Sequence, residues 1–147
     1  MKNYIILWLI LVFGLAVSAC GRSEIVATAT GVSVVEDQVS FLSALRTSNA
    51  TVVIGDPVMQ DFFTPEGRSI TVNGADVQVF EYEDSKAMEA EASLVSPDGS
   101  SVGTSMMMWV DKPHFYKAGR MIVLYVGSDQ ATQDLLEKIL GSQFAGQ

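Results

Sequence analysis

The chain has one cysteine, one histidine and nine basic residues against seventeen acidic ones in 147 residues. A single cysteine leaves no internal disulfide, so the fold must stand on a packed core. A single histidine, His114, leaves few general bases for catalysis. No G-x-S-x-G turn presents a nucleophilic serine. "SPDGSSVG", from Ser96, lacks the lysine and the spacing of a phosphate-binding loop. The shortage of Lys and Arg gives a net charge of −8. Without residues 1–19, which carry Lys2 and no acid, eight bases face seventeen acids and the charge is −9. Such a surface argues against nucleic acid as a partner and against docking on anionic lipid headgroups.

The stretch "YIILWLILVFGLAVSA", Tyr4 to Ala19, carries no charge; Lys2 stands two residues before it and Cys20 follows directly. It falls short of the roughly 20 apolar residues that span a bilayer comfortably. It fits the apolar region of a signal peptide with a small-residue cleavage site. Val17, Ser18, Ala19 and Cys20 resemble the lipobox of bacterial lipoprotein precursors. That resemblance implies a diacylglyceryl group on the Cys20 thiol and cleavage between Ala19 and Cys20, with Cys20 as the mature terminus. It also implies a bacterial cell membrane location, lipid-anchored and facing outside the cytoplasm. One long acyl chain contributes on the order of 10 kcal/mol of membrane affinity, and two make a stable anchor. The alternatives are a core cysteine after an uncleaved signal anchor, or a chance cysteine after an ordinary cleavage site. The lipobox covers residues 1 to 21 and is silent about function.

Residues 20–32, lipidated cysteine and tether, are small and polar without a clear period. One domain over 33–147 follows, large enough for a core of its own. Ser33 and Glu36 have capping-box spacing before a helix over 34–47, with Val39, Leu42 and Leu45 inward and Asn49 as its left-handed stop. "TVVIGDP" reads as a strand stopped by Gly55 and Pro57, and "VMQDFF" as another, ended at Thr64–Gly67. Asn73-Gly74 between β-rich runs predicts a type I′ hairpin with arms Ser69–Val72 and Ala75–Tyr82. Asp84 or Ser85 caps a second helix, "SKAMEAEASLVS". "SMMMWV" reads as a strand. "HFYKAGRMIVLYV" reads as a hairpin turning near Ala118-Gly119, its second arm buried on both faces. Ser128 or Asp129 opens a last helix with Leu135, Leu136, Ile139 and Leu140 as its stripe, closed by Gly141. The expected fold is α+β: a two-layer sandwich of mostly antiparallel sheet with about three helices on one face. The expected core is Val39, Leu42, Leu45, Val77, Val79, Ile122, Leu124, Leu135, Leu136 and Ile139.

The chemistry available to such a domain is sparse. Asp111 and His114 flank Pro113 and are the one acid–base pair near in sequence. Met106, Met107 and Met108 with His114 suggest soft ligands for Cu(I). Against this, Met106 and Met108 on a strand share a face and ordinarily fill core gaps. Trp109, Asp111, His114, Phe115 and Tyr116 form a candidate binding patch around Pro113. Asp76, Glu81, Glu83 and Asp84 read as a solvated edge, and the sequon at Asn49 as chance. The text of residues 72–82 and 114–127 resembles small extracytoplasmic lipoproteins of unknown function, which implies a shared fold and no assigned activity. The expected function is a membrane-anchored extracytoplasmic lipoprotein acting as a non-enzymatic binding or interaction module. Its partners would be the membrane, through its anchor, and an envelope protein or small ligand, with no cofactor. The alternative is a copper-handling protein or small enzyme centred on His114.

Overall fold

The computed structural model describes residues 34–147. The expectations for Ala19, Cys20, the 20–32 tether and the Ser33 cap lie outside the described residues. The chain forms α1 (Gln38–Thr47), β1 (Val52–Val58), β2 (Gly67–Val72), β3 (Ala75–Glu81), α2 (Ser85–Ala92), β4 (Ser101–Val102), β5 (Ser105–Met106), β6 (Pro113–Ala118), β7 (Met121–Val126), α3 (Gln130–Leu140) and β8 (Ala145–Gly146). Six strands make an antiparallel sheet in the order β1-β2-β3-β7-β6-β8, and β4 pairs with β5 apart from it. The fold class is α+β, as the strand and helix patterns imply.

Strand β7 carries no charged side chain, and both of its faces are buried. Met121, Val123 and Tyr125 enter one core with Phe41, Leu42 and Leu45 of α1 and Leu136 and Leu140 of α3. Ile122 and Leu124 enter a second core with Phe63, Phe80 and Phe115 and with Met88 and Ala92 of α2. Each large buried side chain contributes roughly 1.5–3 kcal/mol. The helices therefore lie on both faces, α1 and α3 on one and α2 on the other, rather than all on one. The reason is β7 itself, since an apolar strand in mid-sheet needs cover on each side.

Of the expected core, Leu42, Leu45, Val77, Val79, Ile122, Leu124 and Leu136 are buried, and Leu135 and Ile139 pack partly buried at its rim. Val39 is instead 76% exposed. Phe41 sets the inward face of α1, and two residues turn a helix by about 200°, which carries Val39 to solvent. The helix also starts later than Ser33 and Glu36 imply. Ser40 N donates to Asp37 Oδ1 at 2.8 Å and Asp37 N donates to Ser40 Oγ at 3.0 Å, a reciprocal cap that leaves Val35 outside the helix and buried. Asn49 takes the left-handed conformation expected of it, with φ of 60°.

Strand β1 does not stop at Gly55 or Pro57. It continues to Val58 through a register shift between Ile54 and Pro57. It is an edge strand, where a proline without an N–H costs little pairing. "VMQDFF" is correspondingly no second strand; only Val58 is in β1, and a loop brings Phe63 into the second core. That loop is latched to α2. Thr64 N donates to Glu91 Oε2 at 3.0 Å, Tyr82 Oη donates to the same oxygen at 2.8 Å, and the Thr64 hydroxyl reaches Oε1. Helix α2 is shorter than expected, capped by Asp84, which accepts from Ala87 N.

The Asn73-Gly74 hairpin forms as predicted, with φ of 53° and 93° at the two central residues. A Cβ at Gly74 would meet no atom within 4 Å, so a substitution there reports backbone conformation alone. Gly74→Val is expected to destabilise by about 1–2 kcal/mol or somewhat more, because a β-branched residue resists positive φ. Urea unfolding measures it, and an unchanged midpoint would show that this turn does not set the register of β2 on β3.

Burial pushes the Tyr82 hydroxyl well above its ordinary titration range, and its hydrogen bond to Glu91 adds to this. Burial likewise pushes Tyr116 up to about 12, with help from the Glu137 and Asp134 carboxylates. Unfolded tyrosines titrate near 10. Above that pH the unfolded chain releases protons that the folded chain keeps, so stability falls as pH rises. The urea midpoint is expected to drop between pH 10 and 12, and Tyr116→Phe to lessen the drop. A Tyr116→Phe profile identical to that of the parent chain would remove Tyr116 as a cause.

Candidate functional site

His114 lies in β6, 2% exposed, and both ring nitrogens are engaged. Nε2 lies 3.0 Å from the carbonyl oxygen of Gly127 and Nδ1 2.7 Å from the Gln143 side-chain amide. A carbonyl only accepts, so Nε2 carries a hydrogen and donates to Gly127. The Gln143 amide serves as donor or acceptor by a half turn. The ring stacks on Tyr125 at 5.7 Å between centroids. His114 thus braces β6 against the β7–α3 turn and the C-terminal segment.

Asp111 is exposed on the preceding loop and does not reach His114. Its Oδ1 accepts from Lys112 N at 2.8 Å and its Oδ2 from the Ser128 hydroxyl at 3.1 Å. The acid–base pair that the sequence suggests is not assembled. The rest of the expected patch is divided by the sheet. Phe115 belongs to the second core and Trp109 packs partly buried against it, whereas Tyr116 belongs to the first. Trp109 and Asp111 do line one pocket, whereas His114, Phe115 and Tyr116 are buried and contribute nothing to that surface. Among the described residues, no three His, Cys, Asp or Glu side chains are grouped to hold a metal ion.

What sequence reasoning missed is that Met106, Met108 and Val110 of the "SMMMWV" segment lie bare on the surface. "SMMMWV" is strand only at Ser105–Met106. Met106, Met108 and Val110 are 86%, 99% and 98% exposed, and Met107 packs partly buried at the second core. The expectation that methionines here fill core gaps therefore holds for neither Met106 nor Met108. Without a strand to pair with beyond Ser101, residues 107–110 leave the ladder, and alternation no longer delivers side chains to a core. The signal in the sequence is "SPDGSSVGT", whose glycines at 99 and 103 both turn with positive φ and confine β4 to two residues.

The segment is nevertheless held firmly. Met107 N donates to the Ser100 carbonyl at 2.9 Å, and the Trp109 indole N–H to the Gly99 carbonyl at 2.7 Å. The Trp109 ring meets Phe62 and Phe115 edge-on at 6.0 and 5.8 Å. A pocket of about 370 Å³ opens beside it, lined by Asp98, Met107, Trp109, Asp111, Lys112 and Pro113 among others. Two further clefts lie elsewhere. One of about 420 Å³ is between Glu36, Asp37, Ser85 and Arg120. Another, of about 280 Å³, lies beside Tyr82 and Glu91. Their side chains are largely spent on caps, ion pairs and the Glu91 latch.

A scan against protein-family models, a search of curated proteins and a search of solved structures each returned no match. The candidate site therefore rests on geometry. It is a pinned apolar segment, with bare side chains at 106, 108 and 110, beside a small acidic pocket.

Exposure of these thioethers is open to chemical test. Under limiting peroxide, Met106 and Met108 are expected to become sulfoxides first, while Met88 and Met121, 3% and 0% exposed, resist. Peptide mass mapping reads the order, and prompt oxidation of Met121 with sparing of Met108 would invert this description of the segment.

Proposed function

We propose that this chain is a membrane-anchored extracytoplasmic bacterial lipoprotein whose domain is a non-enzymatic interaction module, with Cys20 as its lipidated end. The anchor rests on the charge, apolar run and lipobox-like residues before Cys20. One observation carries the interaction reading. Met106, Met108 and Val110 stand bare in water on a segment tied down by backbone bonds and by Trp109. Scattered apolar residues on a surface are ordinary, whereas three within five residues on a fixed frame present a preformed contact. The alternative, copper handling or catalysis centred on His114, has less support. The ring is sealed in the sheet with both nitrogens occupied, and the exposed thioethers are left without it.

The test uses the full chain in the producing cell, with a photo-crosslinking side chain at position 108 or, for comparison, at Lys138 on the exposed face of α3. The protein is expected in the membrane fraction, with a discrete protein adduct from position 108 and none from 138. Cys20→Ala is expected to yield precursor or a released form. Membrane retention of a normally processed Cys20→Ala chain would remove the anchor. Equal adducts from both positions, or none, would remove the interaction surface.

A further inference from the structure

The apolar segment and the acidic pocket share one end of the molecule. Residues 34–36, where the described chain begins, meet the opposite end, since Arg120 N in the β6–β7 turn donates to the Glu36 carbonyl at 3.0 Å. The length of β6, about 17 Å at roughly 3.3 Å per residue, separates that turn from Pro113, beside which Trp109 and Asp111 lie. At this far pole Asp98 is exposed, and its carboxyl is held at about 2 by the Ser100 backbone N–H and the Ser96 and Ser100 hydroxyls. It is therefore an anion across the physiological range. These three bonds all fall on Oδ1. Asp111 is the second exposed carboxylate, and Lys112 is the one base lining the pocket.

We infer that Met106, Met108 and Val110, together with the pocket holding Asp98, Trp109 and Asp111, dock a cationic amphipathic segment of a partner protein. The apolar side chains of that segment cover the bare triad and leave water. Its Lys or Arg reaches Asp98 and Asp111 in a pocket walled by Trp109, where a carboxylate and an aromatic ring both favour a cation. Charge excludes the other occupants. An anionic lipid surface is repelled by the acidic rim, and a second copy would set this rim against itself across a two-fold interface. The inference rests on the interaction-module reading and specifies the partner's chemistry.

The test places the anchored mature chain, Cys20 to Gln147, in zwitterionic nanodiscs; Trp8 leaves with residues 1–19, so Trp109 is the chain's sole indole. A short amphipathic Leu/Lys peptide is titrated against a Leu/Glu peptide of the same pattern. The Leu/Lys peptide is expected to shift Trp109 emission saturably, and the Leu/Glu peptide not to. Asp98→Asn with Asp111→Asn is expected to weaken binding about tenfold or more, as loss of charge-assisted contacts implies. The triple variant Met106→Ser, Met108→Ser, Val110→Ser is expected to weaken it similarly. Asp134→Asn with Glu137→Gln, acids on α3, is expected to leave it unchanged, and thermal melts check that each variant is folded. Equal binding of both peptides, or unchanged binding in the pocket and triad variants, would overturn the inference. So would equal weakening by the α3 variant. A Trp109 shift with protein-free zwitterionic vesicles alone would assign the pole to lipid. A dimer lost in the triple serine variant would assign it to a second copy. A discrete crosslink from position 108 in cells without Leu/Lys binding would overturn this inference while leaving the interaction module standing.

Discussion

An uncharged strand in the middle of a sheet must be covered on both sides, and β7 imposes that requirement on the whole domain. Met121, Val123 and Tyr125 point to one face and Ile122 and Leu124 to the other. One face is closed by α1 and α3, whose side chains meet over Val77, Val79 and Val123. The other is closed piecemeal, by α2, by the loop that carries Phe63 and by the lobe that carries Val95, Val102 and Trp109. A piecemeal cover needs fastening. Glu91 supplies one fastening, taking hydrogen bonds from Thr64 and Tyr82. The Trp109 indole bond to Gly99 supplies another.

The same constraint explains why the lone histidine is a brace. Strand β6 lies beside β7, and His114 is carried inward with it, against Tyr125. A buried imidazole must find partners for both nitrogens, and Gly127 and Gln143 supply them. The ring is then unavailable to solvent or substrate. The opposite outcome is reached a few residues earlier. Trp109 is drawn to the second core by Phe62 and Phe115, while Met108 and Val110 on either side of it stand in water. The fixed, bare segment at the far pole is thus a by-product of anchoring one indole.

The two ends of the domain differ in character. Where residues 34–36 meet the β6–β7 turn, polar groups satisfy one another. Arg120 pairs with Glu81, Gln38 N donates to Glu81, and Arg120 N donates to the Glu36 carbonyl. Gly119 allows that close approach, since a Cβ there would lie 2.3 Å from Glu36 backbone atoms. At the other end apolar groups are left unpaired beside two exposed carboxylates.

What the sequence determined by itself was written in local chemistry. Asn73-Gly74 names its turn because two adjacent positive φ angles suit few other pairs. Asp84 or Ser85 and Ser128 or Asp129 mark helix starts because a short acceptor satisfies free N–H groups, and the structure selects the aspartate at each. The "MIVLYV" run names a strand buried on both sides because it offers no polar face. Tertiary structure alone decided which face each helix took, how β1 passed Gly55 and Pro57 as an edge strand, and why Val39 turned outward. It also decided that His114 is sealed and that Met106, Met108 and Val110 are not. Those outcomes depend on partners distant in the chain, since burial and strand pairing are won across the fold rather than along the sequence.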